Sequence, residues 1–224
     1  MKKKPKVIFC TPTRDVPSAP FIAALEACVP AVEAAGFDHG TVSTVANPYI
    51  SNARNEMLRK ALDARADIIV FLDDDVSWRP EDMVRLLTAE GDVVAGTYRF
   101  KKDAEEYMGM LELGETGRPL VREDGAIKAH RAPAGFLRVT RAAVSEFMRV
   151  YPELVFGDMC NPSVDLFNHG AVFGDRMWWG EDYAFCRRWN EKCGQVWILP
   201  DMDIDHHGRD KVYRGNLHKY LLAK

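Results

Sequence analysis

The chain has 224 residues, of which 47% are hydrophobic and 28% charged, so its composition excludes an intrinsically disordered or collagen-like protein. Its 30 basic and 33 acidic residues give a net charge of −3, which argues against a protein that binds nucleic acid through overall charge alone. The length allows one large domain or two small ones. Because no shift in composition marks a boundary, we expect a single domain over residues 1–224.

The sequence contains no apolar run of the roughly 18 residues that a membrane-spanning helix needs. The five cysteines are scattered and form no C-x-x-C pair, so we interpret them as reduced thiols. Both features favour a cytoplasmic protein.

Strand and helix patterns alternate through the first hundred residues. We predict, in chain order, a strand at 6–10, a helix at 20–35, a strand at 39–45, a helix at 51–66, a strand at 68–72, a helix at 80–91 and a strand at 92–99. Pro30 is expected to kink or break its helix, and Ser51 or Asn52 to cap the next one. The continuous apolar run at 68–72 is typical of a strand buried on both faces. This alternation predicts an α/β fold with a mostly parallel central sheet flanked by helices.

The second half of the sequence is less regular. We expect a hairpin or a mobile loop at 105–131, a helix at 141–150, a helix from Gly180 to Cys193, a last strand at 196–199 and a polar tail at 205–224.

Three consecutive carboxylates, Asp73, Asp74 and Asp75, follow the buried strand at 68–72. Ligands of open α/β sheets bind beyond the carboxyl ends of the strands, and side chains at i and i+2 of an extended segment point the same way. Adjacent carboxylates repel one another unless a cation lies among them, and such oxygen ligands suit Mg²⁺ or Mn²⁺. We therefore favour a metal site that serves a diphosphate over a solvated acidic turn.

Aromatic and acidic residues surround Gly180 at the predicted start of a helix: Trp178, Trp179, Glu181 and Asp182. Exposed aromatic rings stack on sugars, and a carboxylate can act as general base on an acceptor hydroxyl. Taken alone, the segment is better explained by acids that complement the helix dipole and tryptophans that lie in the core.

Other polar residues are weaker candidates. His206 and His207 are potential ligands of Mn²⁺-type ions. Arg54 lies near a helix start, where it could meet a phosphate, although a solvated arginine is the simpler interpretation. Lys101 and Lys102 are interpreted as solvated surface residues.

In chain order, the segments TPT, ISNARN, FLDDDV, GEDYAFCRRW and DIDHHG resemble the GT-A fold glycosyltransferases. The nearest resemblance is to small stand-alone members of the family-2-like group found in bacteriophage and large-virus genomes, and it spans roughly residues 5–215. It implies a GT-A fold with a nucleotide-binding half near 1–100 and an acceptor-side half near 101–224. It also implies a metal-dependent hexosyltransferase that moves a sugar from a nucleotide-sugar to an acceptor hydroxyl.

The resemblance implies roles for particular residues. The implied ligands of Mn²⁺ or Mg²⁺ are Asp73, Asp75 and His206, with His207 as the alternative to His206. The residues implied at the nucleotide are Thr11, Thr13, Arg54, Asp73 and Asp74. Those implied at the sugar and the acceptor are Gly135, Trp178 and Trp179. The implied catalytic acids are Asp182 and Glu181, with Asp182 as the base if the enzyme inverts.

Several alternatives stay open. UDP is the donor nucleotide expected from the resemblance, whereas the acceptor could be a glycan or, in a phage, a hydroxymethylated base in DNA. Inverting and retaining outcomes are both compatible with the sequence. A nucleotidyltransferase would more typically have a Gly-rich basic loop after the first strand, where this chain has TPTRDVPSAP. A non-catalytic sugar- or nucleotide-binding module would not need the acids and the histidine together.

Overall fold

The computed structural model describes residues 3–168 and 178–223. The helices are α1 (Ala19–Ala34), α2 (Ile50–Asp63), α3 (Pro80–Thr88), α4 (Arg141–Val150), α5 (Glu181–Lys192) and α6 (Leu217–Leu222), with a 3-10 turn at Pro152–Leu154. The strands of the first half are β1 (Lys6–Thr13), β2 (Asp38–Val45), β3 (Ile68–Leu72), β4 (Val76–Ser77) and β5 (Val93–Gly96). Those of the second half are β6 (Met110–Leu111), β7 (Ile127–Arg131), β8 (Phe136–Thr140), β9 (Val155–Asp158), β10 (Asn161–Val164), β11 (Val196–Leu199), β12 (Asp205–His207) and β13 (Val212–Tyr213).

Eight strands form one central sheet in the order β2-β1-β3-β8-β5-β11-β7-β6. Six of them point the same way, while β8 and β7 run against their neighbours. Two small sheets accompany it, β10-β9 and β13-β12-β4. The predicted α/β class with a mostly parallel central sheet is confirmed.

The central sheet is covered on both faces. Phe71 of β3 packs with α2, α4 and α5 on one face, and Val70 and Leu72 pack with α1 and α3 on the other. All three side chains are fully buried. The prediction of a strand buried on both faces is therefore confirmed at β3, and the end of this strand is held rigidly.

Two local expectations in the first half are wrong. Helix α1 continues through Pro30, so the expected break does not occur, and Cys28 and Val32 on either side of it lie in the core. Helix α2 begins at Ile50 after Tyr49, and no side chain caps it, so neither Ser51 nor Asn52 has the capping role.

The irregular second half is more ordered than expected. Of the two interpretations of 105–131, the hairpin is correct, since β6 pairs with β7 and short bridges join Leu113 to Pro119 and Val121 to Ile127. The predicted polar tail instead forms β12, β13 and α6, so β11 is not the last strand. The side chain of Asn216 caps α6 by accepting a hydrogen bond from the N–H of Lys219.

Within the described residues, no helix combines the length and the apolar composition that crossing a membrane requires. All five cysteines are free thiols, and burial raises the pKa of Cys10 well above its ordinary range.

Candidate active site

A cavity of about 550 Å³ opens where the parallel strands end. The loop after β1, the end of β2, the three aspartates after β3, helix α2 and the first turn of α5 all contribute to its wall. The predicted site residues that line it are Thr13, Arg54, Asp73, Asp74, Asp75, Glu181 and Asp182. Residues more than a hundred positions apart in the sequence are thus brought to one cleft.

A buried arginine joins the two acidic segments of this cavity. Arg54 donates through Nη2 to Asp73 Oδ1 at 2.8 Å and through Nη1 to Glu181 Oε1. Its side chain is only 4% exposed, and its guanidinium lies 5.6 Å from the centre of the Phe167 ring. Because its two terminal nitrogens are each bound to a carboxylate, Arg54 holds the two acidic segments together. It also lines the cavity, so its predicted contact with a phosphate stays a prediction.

Asp75 has a different set of partners. Its Oδ1 lies 3.6 Å from Nε2 of His206, and its Oδ2 accepts a hydrogen bond from Nζ of Lys101. Burial acts to raise the pKa of Asp75, but His206 and Lys101 outweigh it, so this pKa lies below the ordinary value. Asp75 therefore stays ionised, and Lys101 is a partner of the site rather than a solvated surface residue.

The small sheet explains how a histidine from the end of the chain reaches Asp75. In this sheet His206 of β12 pairs with Val76 of β4, directly after the three aspartates. His206 Nδ1 lies 2.8 Å from the carbonyl oxygen of Arg99, which leaves Nε2 directed toward Asp75. His207 points elsewhere, with Nε2 2.8 Å from Ser77 Oγ. Of the two adjacent histidines, only His206 faces the aspartate.

The predicted third metal ligand is engaged elsewhere, because Asp73 bonds to Arg54 and lies 3.3 Å from the hydroxyl of Tyr98. Among residues 3–168 and 178–223, no group of three or more His, Cys, Asp or Glu side chains is arranged to hold a metal ion. What the structure does present is a pair, Asp75 and His206. Mg²⁺-type ions in phosphate-handling sites use one or two carboxylates and take their remaining ligands from phosphate and water, so a protein pair of this kind fits such an ion.

Asp182 is the acid of the cavity whose pKa is raised furthest. Burial raises its pKa to about 6, and the charge of Glu181 adds to that rise. Arg54 and the backbone N–H of Tyr183, which donates to Asp182 Oδ1 at 2.8 Å, offset part of it. A carboxylate with this pKa is ionised at neutral pH and basic enough to accept a proton.

Only some of the residues predicted to contact the nucleotide line the cavity. Thr13 lines it together with Asp74, whose pKa is raised by burial. Thr11 is buried within β1 and is not part of the cavity wall, because the strand continues for two more residues to Thr13. The wall includes Thr44 and Asn47, which the sequence analysis did not single out.

Gly135 lies behind Asp73 and not at the cavity wall. Its carbonyl oxygen accepts a hydrogen bond from the N–H of Asp73 at 3.1 Å. A methyl group at this position would overlap both the Tyr98 hydroxyl and the Asp73 carboxylate. Glycine is therefore required for the close approach of two strand ends. Tyr98 itself was missed, although it follows β5 and so lies at the same edge of the sheet.

The two tryptophans do not form an exposed aromatic pair. Trp178 is 70% exposed, whereas Trp179 is only 8% exposed. The ring centre of Trp179 lies 3.7 Å from the guanidinium of Arg131 and 5.3 Å from that of Arg187. Neither ring is part of the 550 Å³ cavity wall, and the expectation of exposed stacking surfaces is wrong for Trp179.

No protein-family model matches the sequence, and no curated protein matches it. Similar solved structures include a glycosyltransferase involved in the glycosylation of the major capsid of PBCV-1, with 9% identity, a TM-score of 0.47, and coverage of 87% of this chain and 82% of that one. Mannose-1-phosphate geranyltransferase from Thermus thermophilus gives 16% identity, a TM-score of 0.49, and coverage of 89% and 75%. S. aureus TarS 1–349 gives 11% identity and a TM-score of 0.46, and this chain, 93% of which is matched, covers 59% of it.

At such low identity and similarity the likenesses say nothing of activity, so the function has to be inferred from the residues of the cavity.

Proposed function

We propose that this chain is a glycosyltransferase, of the hexosyltransferase type, that moves a sugar from a nucleotide-sugar to an acceptor hydroxyl with the help of Mn²⁺ or Mg²⁺. The observation that carries the proposal is the position of Asp182. A half-buried carboxylate with a pKa of about 6 faces the same cavity as three aspartates at the end of a parallel strand. This arrangement pairs a proton acceptor with acids that can hold a cation beside a diphosphate.

Asp182 is the base in this proposal. The acceptor oxygen forms a bond to the anomeric carbon of the sugar, the bond from that carbon to the diphosphate breaks, and the acceptor proton passes to Asp182. Glu181 cannot share this role, because its carboxylate is bound to Arg54. The assignment applies if the enzyme inverts; in a retaining enzyme Asp182 would stabilise developing positive charge at the sugar instead.

Asp75 and His206 would hold the divalent cation. The hydrogen bond between His206 and the carbonyl of Arg99 fixes the ring so that its second nitrogen faces Asp75, which is the support that metal-binding histidines usually have. When bound, the cation neutralises charge on the leaving diphosphate. The geometry of the pair supports this role, and Asp73 serves instead to anchor Arg54.

The nucleotide would occupy the part of the cavity near the ends of β1 and β2. Thr13, Thr44 and Asn47 supply polar side chains there, beside Pro48 and Ile50, which offer apolar surface for a base. UDP is proposed on the resemblance alone. The acceptor, a glycan or a modified base in DNA, and a cytoplasmic location belong to the same proposal.

A binding and turnover experiment tests the proposal. UDP-, GDP-, CMP- and ADP-sugars are each added with and without Mn²⁺, and thermal stability is measured. A ligand of the folded state at 100 times its Kd stabilises by about 2.7 kcal/mol, which is readily detected. We expect one nucleotide class to stabilise the protein only when Mn²⁺ is present, and Asp75→Ala to abolish that effect.

The products then discriminate between the alternatives. A glycosyltransferase releases a nucleoside phosphate from the nucleotide-sugar, whereas a nucleotidyltransferase releases pyrophosphate from a nucleoside triphosphate and a sugar phosphate. Stabilisation without either product would favour the non-catalytic binding module. Absence of stabilisation by every nucleotide-sugar, with the folded protein verified, would contradict the proposed function.

A further inference from the structure

Lys101 occupies a position that the proposed function does not explain. Its ammonium group is bound to Asp75 Oδ2, and the other oxygen of the same carboxylate faces His206. The carboxylate at which a divalent cation is proposed is therefore already neutralised by a residue of this chain.

The segment that carries Lys101 is built into the site. The carbonyl of Arg99, two residues earlier, fixes the His206 ring. The N–H of Phe100 donates to the carbonyl of Glu106, and Arg99 donates to the carbonyl of Asp103, so the loop is closed on itself. The backbone near Lys101 is thereby held in place, while its side chain, 36% exposed, remains free to change conformation.

The neighbouring lysine shows that this placement is specific. Lys102 pairs with Glu106 on the same loop and lies 5.1 Å from the centre of the Phe100 ring. It does not contact Asp75. The chain thus has two adjacent lysines of similar exposure, of which one faces the proposed cation site and one faces away.

A lysine ammonium and a divalent cation repel each other, so a cation on Asp75 weakens the attraction of this carboxylate for Lys101. The ammonium is then drawn toward other anions. Asp73 and Glu181 are already paired with Arg54, and Asp74, whose charge also acts on Lys101, offers only a single carboxylate. A diphosphate beside the cation carries more negative charge than Asp74 and lies within reach of a long lysine side chain.

We propose that Lys101 is a diphosphate-binding residue, which rests on Asp75 while the donor site is empty and moves to the diphosphate when a divalent cation takes its place on Asp75 and His206. This inference rests on the proposed function and adds to it an exchange of one cation for another. Lys101 therefore lowers the affinity of the protein for the cation alone. It raises the affinity for a nucleoside diphosphate once the cation is bound.

The test compares Lys101→Ala with the matched control Lys102→Ala by binding measurements that need no turnover. Free Mn²⁺ is followed by electron paramagnetic resonance during titration of each protein. UDP, GDP and ADP are then titrated calorimetrically at saturating Mn²⁺. Circular dichroism verifies that each variant is folded.

The expected changes have opposite signs. Lys101→Ala should bind Mn²⁺ alone about two- to fivefold more tightly, since a half-exposed competing ion pair is removed. It should bind the preferred nucleoside diphosphate about 5- to 20-fold more weakly at saturating Mn²⁺, since a charge-assisted hydrogen bond is lost. Lys102→Ala should change neither affinity, and Lys101→Arg should keep most of the affinity for the diphosphate.

Other results would overturn the inference. If both affinities fall in Lys101→Ala, the residue only supports the structure of the site. If neither changes while the wild-type protein binds Mn²⁺ and a nucleoside diphosphate, Lys101 has no part in binding and the proposed function still stands. If the wild-type protein binds none of the three diphosphates, the proposed function fails together with the inference.

Discussion

Asp75 and Asp182 come from distant parts of the chain, and their surroundings shift their pKa values in opposite directions. Asp75, after β3, faces His206 and Lys101, which hold its pKa below the ordinary value in spite of burial. Asp182, in the first turn of α5, lies half-buried next to Glu181, and its pKa is raised to about 6. The same residue type is thus kept charged at one end of the cavity and able to exchange a proton at the other. This division is what a transfer reaction with a cation-assisted leaving group and a general base requires.

The largest expected effect comes from Asp182→Asn, which removes the proton acceptor and keeps the shape. We expect sugar transfer to fall by about 10²- to 10⁴-fold, the usual contribution of general base catalysis. Affinity for the nucleoside diphosphate with Mn²⁺ should not change, because Asp75 and His206 are untouched. Single-turnover kinetics and calorimetry measure the two quantities. Full turnover in this variant would exclude Asp182 as the base.

Asp182→Asn should also change how the free energy of unfolding depends on pH. Because the pKa of Asp182 in the folded protein lies above the ordinary 3.8, its ionisation destabilises the fold increasingly as pH rises from about 3.8 to about 6, and by a constant amount above that. Asp182→Asn should therefore stabilise the protein at pH 8, by at most about 3 kcal/mol, and have little effect at pH 4. Urea unfolding at the two pH values measures this. Equal stabilisation at both would show that the burial of charge is not the cause.

Arg54 connects the two acidic segments of the cavity, and its removal should act on the fold itself. Arg54→Ala leaves the partly buried Asp73 and Glu181 without their cation, so we expect a loss of up to about 3 kcal/mol in the free energy of unfolding. Arg149→Ala, which removes an exposed partner of Glu146, should change this free energy little. Urea unfolding of both variants compares them. Similar costs for the two would contradict the role of Arg54 in holding the two acidic segments together.

The fold class could be predicted from sequence because alternating apolar runs and helical periodicity are local signals. The apolar run of β3 and the acids that follow it already located one wall of the cavity. The strands of the second half are two to five residues long, so their pairing depends on contacts that no local pattern encodes. For this reason the ordered structure after Asp205 was missed.

The candidate site, too, depends on contacts that local sequence patterns do not encode. Which residues are acidic could be known in advance, but not which of them Arg54 would neutralise. Arg54 could be placed near a helix start, yet its binding of Asp73 and Glu181 depends on α2 and α5 packing on the same face of the sheet. The approach of Lys101 to Asp75 and the burial of Trp179 likewise follow from tertiary packing.

The two adjacent histidines, His206 and His207, allow a direct test of which side chain contributes to cation binding beside Asp75. His206→Ala removes a proposed direct ligand, so we expect affinity for Mn²⁺ to fall by about 100-fold or more, because even the outer contacts of a metal site contribute about 10- to 100-fold. His207→Ala removes only a contact with Ser77 and should change this affinity little. Titration of Mn²⁺ measured by electron paramagnetic resonance tests the pair. A larger loss for His207→Ala would reverse the assignment.

The smallest expected effect is a gradual fall of the transfer rate as pH is lowered. A base must be deprotonated to accept a proton, so below a pKa of about 6 the transfer rate should fall about tenfold for each pH unit. Asp75, whose pKa is lowered, stays ionised in this range. Because protonation of a histidine ligand weakens metal binding, the comparison is made at saturating Mn²⁺, where affinity for the nucleoside diphosphate should persist while the rate falls. Measuring kcat and diphosphate affinity from pH 5 to 8 separates the two ends of the cavity. If both quantities decline together below pH 6, one titration governs the whole cavity, and the division between a charged end and a proton-accepting end would have to be abandoned.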